Sequence, residues 1–127
     1  MATELTRISK ELYIEDKDKL ELELIVAELN AKSVRVFLAD FFRAWTDRIK
    51  RGEPAPLIFP KKDFERRGKV NVNYAYDADV AYEARRLASY YRTNLASYLR
   101  AMIEWLCEEH RQKRDVVWIL GEFRKKK

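Results

Sequence analysis

Few residues in this chain are equipped for catalysis. The one histidine, His110, falls in a run of charges beyond the last apolar position of a helical stripe and reads as a surface residue. The one cysteine, Cys107, excludes an intramolecular disulfide and a thiolate zinc cluster, and beside Leu106 it reads as a small buried side chain. No Ser/His/Asp or Cys/His arrangement and no glycine-rich phosphate loop can be argued. Acid pairs such as Asp77 and Asp79 suit helix capping better than metal chemistry. The expectation is a protein that is not an enzyme and needs neither cofactor nor metal. What the chain does carry is clustered positive charge. Between Arg48 and Lys69 lie eight basic residues (Arg48, Lys50, Arg51, Lys61, Lys62, Arg66, Arg67, Lys69) against three acidic ones (Glu53, Asp63, Glu65). That excess equals the formal net charge of the whole chain, +5. Arg124 to Lys127 add a second basic run. Such clusters suit contact with a polyanion; ordinary solvated charge is the alternative.

The elements that must position these charges are mainly helical. Hydrophobic residues make up 47% and aromatic residues 13% of the chain, enough for a packed core, and Gly and Pro number only three each. No apolar run reaches membrane-spanning length, and the N-terminus lacks the apolar core of a signal peptide, so a cytoplasmic protein with no membrane contact is expected.

Along the chain the same pattern occurs twice. Ile8, Leu12 and Ile14 mark a weak strand, interrupted by Lys10. Glu15 and Asp16 open a helix whose apolar side is Leu20, Leu22, Leu24, Ile25, Val26 and Leu29. Ser33 then caps a second helix with Val34, Leu38, Phe41, Phe42 and Trp45 on one stripe. Further on, Lys69 to Tyr76 alternates cleanly, with Val70, Val72, Tyr74 and Tyr76 on one face and Lys69, Asn71, Asn73 and Ala75 on the other. Asp77 or Asp79 caps a helix to about Arg92 with Val80, Ala84, Leu87, Ala88 and Tyr91 inward. Thr93 or Asn94 caps a last helix with Leu95, Leu99, Met102, Ile103 and Leu106. The two second helices match pair by pair at an offset of 61 residues, from Ser33 and Asn94 through Trp45 and Leu106. The strands match best at about 62, which implies one residue slipped within the first helix.

A strand and two helices of this size are near the lower limit for an independent core, and a lone strand leaves its backbone unpaired. Two copies solve both problems by pairing their strands antiparallel over four helices. The expected fold is mainly α with a short two-stranded antiparallel β-ribbon, a tandem pseudo-dimer. Its organisation is a first unit over residues 1–50, a basic linker over 51–68, a second unit over 69–113 and an apolar and basic tail over 114–127, all folding as one domain.

The stretch from Lys69 through Tyr76, the helix to Arg92, the Thr93–Asn94 turn and Leu95 onward resembles the ribbon-helix-helix regulators, of which the Arc and MetJ repressors are members. The resemblance covers Lys69 to His110 well and Arg7 to Lys50 less well. Two copies in one short basic chain are also similar to tandem regulators of archaeal filamentous viruses. The resemblance implies a sequence-specific transcription regulator whose partner is double-stranded DNA, with the ribbon in the major groove. It implies base reading by Lys69, Asn71, Asn73 and Ala75 from the second strand and by Arg7, Ser9, Glu11 and Tyr13 from the first. Asn pairs bidentately with adenine, and two Asn on one face serve strand propensity poorly. Glu11 departs from the pattern, since phosphates repel a carboxylate. The resemblance also implies phosphate contacts at the starts of the second helices, through Ser33 and Val34 and through Asn94 and Leu95, with Lys32, Arg35 and Arg92 nearby. Ser33 and Asn94 serve equally as ordinary caps.

Two segments lie outside the repeat. Leu57-Ile58-Phe59 is expected to tack the linker onto the core, leaving Lys61, Lys62, Arg66 and Arg67 to flank DNA. Val116, Val117, Trp118, Ile119, Leu120 and Phe123 of the tail form an apolar group that packs on its own domain, on another copy in self-association, or on another protein. An antitoxin whose tail binds a toxin, and a structural helical adaptor, are the alternative functions. One ribbon spans little groove, so several molecules are expected to fill neighbouring sites cooperatively.

Overall fold

A computed structural model describes residues 7–60 and 69–113, with backbone alone for residues 7–9. The elements run β1 (Arg7–Ile14), α1 (Asp16–Leu29), α2 (Val34–Lys50), β2 (Val70–Asp77), α3 (Ala78–Tyr90) and α4 (Leu95–Arg111). The described chain is mainly helical, with β1 and β2 paired as a two-stranded antiparallel sheet. The tail, residues 114–127, and the basic residues Lys61, Lys62, Arg66 and Arg67 lie outside the described residues.

The halves match in element length. The second helices α2 and α4 are 17 residues each, and the strands 8 each. The first helices differ by the one residue inferred from the strand offset, 14 in α1 and 13 in α3. All five stripe pairs share a burial class: Val34 and Leu95 are half-buried, and Leu38/Leu99, Phe41/Met102, Phe42/Ile103 and Trp45/Leu106 are buried. The helices pack across the halves, α1 on α4 and α2 on β2 and α3. Beneath the ribbon, Leu12, Ile14, Val72, Tyr74 and Tyr76 close one core with the helices. The Phe42 ring meets Tyr74 edge-on at 5.7 Å. Trp45 packs edge-on against Trp105 at 5.6 Å, and its indole N–H donates to the Tyr98 hydroxyl at 3.0 Å.

Each helix ends on a residue of positive φ that lets the chain reverse: Asn30 at 56°, Gly52 at 89°, Arg92 at 56° and Lys113 at 56°. The paired bonds of such a stop are present after α1, where Ala31 N–H reaches Val26 C=O at 2.9 Å and Asn30 N–H reaches Ala27 C=O at 3.2 Å.

Several expected faces are corrected. Leu20 and Leu24, assigned to the inner side of α1, are 63% and 59% exposed; Leu22, Ile25 and Leu29, with Val26 at the margin, fall on the arc that meets the core. Tyr91 follows the last residue of α3 and is exposed, its ring tilted against Tyr98 at 5.7 Å. Of Leu57-Ile58-Phe59, only Ile58 is buried, at 3%; its neighbours are 71% and 72% exposed.

His110 is not a simple surface residue. Its Nδ1 lies 2.5 Å from Glu21 Oε2 and its Nε2 2.6 Å from Glu28 Oε1, tying α4 to α1. Burial opposes the charge, but the bonds to Glu21 and Glu28 outweigh it and raise the imidazole pKa above its ordinary 6.5. A pKa raised by folding stabilises the fold fully below the unfolded value and loses that contribution as pH rises through the folded value. Wild type is therefore expected to lose urea resistance as pH rises past the ordinary imidazole range, and His110→Gln to flatten that dependence. Parallel curves for the two proteins would show that the cluster contributes nothing.

Candidate nucleic-acid interface

The ribbon presents one face to the core and one away from it, because successive strand residues alternate sides. The register pairs Ser9 with Ala75, Glu11 with Asn73 and Tyr13 with Asn71. Glu11, Asn71 and Asn73 are exposed and Tyr13 half-buried, so this face offers a carboxylate, two amides and a phenol. Lys69 is half-buried and directly precedes β2. Ala75 is corrected: at 1% exposure its methyl is withdrawn from any groove. Arg7 and Ser9 lie in β1, and their side chains lie outside what is described.

The ribbon is anchored by residues that pattern reading passed over. The Arg43 guanidinium of α2 donates to Asp77 Oδ2 at 2.7 Å and to Asp79 Oδ2 at 2.9 Å. Asp77 sits at the cap position of α3, but its side chain makes no capping bond and goes to Arg43 instead. Arg43 holds the Asp79 carboxyl below its usual range, and Asp79 in turn raises the guanidinium pKa despite partial burial. On the other strand, Arg100 Nε donates to the Tyr13 carbonyl at 2.9 Å. The available signal was an arginine set among apolar residues, Phe41-Phe42-Arg43-Ala44-Trp45 and Tyr98-Leu99-Arg100-Ala101-Met102. Such a residue is expensive to bury unless paired.

The starts of α2 and α4 are built alike. Ser33 Oγ accepts the Val36 N–H at 3.1 Å, and Asn94 Oδ1 accepts the Ser97 N–H at 2.8 Å. Both residues are therefore true N-caps. Val34 and Leu95 turn their side chains to the core, which leaves only their backbone N–H groups for an anion. Lys32, Arg35 and Arg92 are exposed around these starts. Of the basic cluster, Arg48 meets Glu53 at 2.8 Å and Arg51 meets the same carboxylate at 3.3 Å, so the end of α2 is partly neutralised.

Arg92 occupies left-handed backbone just ahead of α4, a conformation that costs a side-chain-bearing residue about 1–2 kcal/mol. The same φ recurs at Asn30 and Lys113, so here it serves the stop of α3. Arg92→Gly is expected to gain roughly 0.5–1 kcal/mol of stability after glycine's larger unfolded entropy is subtracted, while binding of a polyanion weakens. Melting curves and DNA titrations of the one variant read both effects, and weaker stability would contradict the first.

Among the described residues, no helix is long and apolar enough to cross a membrane, and no three metal-ligating side chains converge. No protein-family model, no curated protein and no solved structure matches the chain, so the interface is read from its own geometry.

Proposed function

We propose that this chain is a sequence-specific, double-stranded DNA-binding transcription regulator that lays its β1–β2 ribbon in the major groove. The two halves are tandem ribbon-helix-helix units folded as a pseudo-dimer within one chain. The observation that carries the reading is the antiparallel pairing of β1 with β2 in the register that sets Glu11 opposite Asn73. These two residues are counterparts in the repeat, so a local twofold relation passing between them supports the pseudo-dimer. A charge-swapped correspondence supports it further. The Arg43–Asp79 pair, which spans the halves from α2 to α3, corresponds to Glu104 and Lys17, which span them from α4 to α1 and line a common pocket.

The mechanism follows from the exposed groups. A two-stranded ribbon fits the major groove, where Asn71 and Asn73 meet adenine edges. The N–H groups at the starts of α2 and α4, with Lys32, Arg35 and Arg92, hold the flanking phosphates and fix the register. Footprinting on duplexes selected from random sequence, with titrations over a salt series, tests the proposal. A protected site of defined sequence, with affinity that falls steeply as salt rises, is the expected result. Equal affinity for all duplexes would reject sequence-specific reading by the ribbon, and no binding at moderate salt would leave an adaptor whose charge serves solubility.

A further inference from the structure

The first helices of the two halves each turn an uncovered stripe to solvent. On α1 it is Leu20, Glu23, Leu24 and Ala27, four exposed residues at steps of three, one and three, which share one side of a helix. On α3 the same steps, at the strand offset of 62, give Tyr82, Arg85, Arg86 and Ser89, and these too are all exposed. Tyr90, 72% exposed, extends the second stripe, with the Arg86 guanidinium 5.9 Å from the centre of its ring. The opposite sides of these helices are spent within the chain, α1 on α4 and α3 on α2 and α4.

Both stripes offer apolar or aromatic surface, but their charges are opposite. Glu23 stands where Arg85 stands in the other half, and among the described residues neither makes a hydrogen bond or an ion pair. Two α1 stripes laid together would set Glu23 against Glu23, and two α3 stripes Arg85 against Arg85, each a like-charge contact that costs binding. One α1 stripe on one α3 stripe sets Leu20 and Leu24 against Tyr82 and Tyr90, and Glu23 against Arg85. Tyrosine and arginine are among the side chains that carry most of the energy in such contacts.

We propose that copies of this chain associate head to tail, the outer face of α1 in one copy docking on the outer face of α3 in the next. The contact leaves a free α1 face at one end and a free α3 face at the other, so it propagates as an open row instead of stopping at a pair. In the proposed pseudo-dimer the twofold through the ribbon carries α1 onto α3, which sets the two faces on opposite sides of the axis. A single helix face on each side is a small contact, and it gains weight where DNA already holds two copies side by side. Every ribbon in such a row points the same way, which calls for direct repeats and not inverted ones. That use of the contact rests on the proposed function; the contact itself does not.

The test mixes two full-length chains at high concentration without DNA, one carrying Leu20→Cys and the other Tyr82→Cys, and treats them with a short bis-maleimide. Both positions are exposed, so the fold should survive, and Cys107 does not compete, being buried with its thiol pKa pushed up by that burial. Random encounter gives mixed and like links in their statistical ratio. Mixed links are expected to exceed that ratio by roughly tenfold, the scale of one well-placed contact. Adding Arg85→Glu to the second chain is expected to abolish the excess, and adding Glu23→Arg to the first to restore it. Linking in the statistical ratio, an excess of like pairs, or an excess that Arg85→Glu leaves unchanged overturns the proposal. Titration of duplexes carrying one or several selected sites then reads the step that depends on DNA. Mixed linking by a protein that binds no DNA keeps the contact and rejects the regulator, and specific DNA binding with statistical linking does the reverse.

Discussion

Trp45→Ala is expected to cost about 3–5 kcal/mol, the range for deleting a large buried aromatic. Total stability for a domain of this size is about 5–15 kcal/mol, so this variant stands close to unfolding at room temperature. The reason is position as much as volume. Trp45 is 0% exposed, lies edge-on to Phe41 at 5.8 Å and to Trp105 at 5.6 Å, and bonds the Tyr98 hydroxyl. Phe41 shares its helix, but Trp105 and Tyr98 belong to α4, so the truncation opens a cavity between the halves. It also strands the Tyr98 hydroxyl, whose pKa burial has already pushed up to about 12. Trp45→Phe separates the two contributions. It keeps an aromatic ring but leaves that hydroxyl without its donor, at about 1–3 kcal/mol. Adding Tyr98→Phe removes the stranded group and is expected to recover part of the loss. Urea unfolding followed by circular dichroism measures each variant. Because the bond spans the halves, one cooperative transition is expected, and two separate transitions would show that the halves fold independently.

The parts of this structure that were legible from sequence are those set by periodicity. The stripes of α2 and α4 announce helices because apolar residues recur on one face. The caps Ser33 and Asn94 could be named because a side-chain oxygen there meets an N–H three residues on. The one-residue difference between α1 and α3 followed from two offsets that disagreed by one. Periodicity assigns a face, however, and not a depth. Ala75 alternates outward with Asn71 and Asn73 yet is buried, and Leu20 and Leu24 look like core residues but lie beyond the arc that α4 covers. Charge partners were illegible for a different reason. Arg43 and Asp79 are 36 residues apart, and His110 and Glu21 are 89 apart. No local pattern joins such residues; only the closure of one half on the other does.

Replacing Asn71 and Asn73 together by Ala is expected to cost roughly 2–6 kcal/mol of specific binding at about 1–3 kcal/mol for each bidentate contact, between about 30-fold and 10⁴-fold in affinity. Both side chains are exposed, so the fold should survive and circular dichroism should not change. The loss should fall unequally along the site. A homodimeric ribbon offers the same residues from both strands and favours a symmetric sequence. Here Asn71 faces Tyr13 and Asn73 faces Glu11, so the donors and acceptors on one side of the ribbon differ from those on the other. The preferred duplex is therefore expected to be non-palindromic. Since one ribbon covers a short length of groove, neighbouring copies of that sequence should fill cooperatively. Glu11 sharpens the point, because its carboxylate sits at the ribbon's centre, where phosphates and most base edges repel it. Glu11→Asn sets like residues across the centre and removes that charge. It should tighten binding to every duplex and shift the selected sequence toward a symmetric core. Selection from randomised duplexes, repeated for wild type, Glu11→Asn and the double Ala variant, reads all of these effects. A palindrome preferred by wild type, bound tightly at one isolated site, would show that the inequality of the strands is not read by DNA.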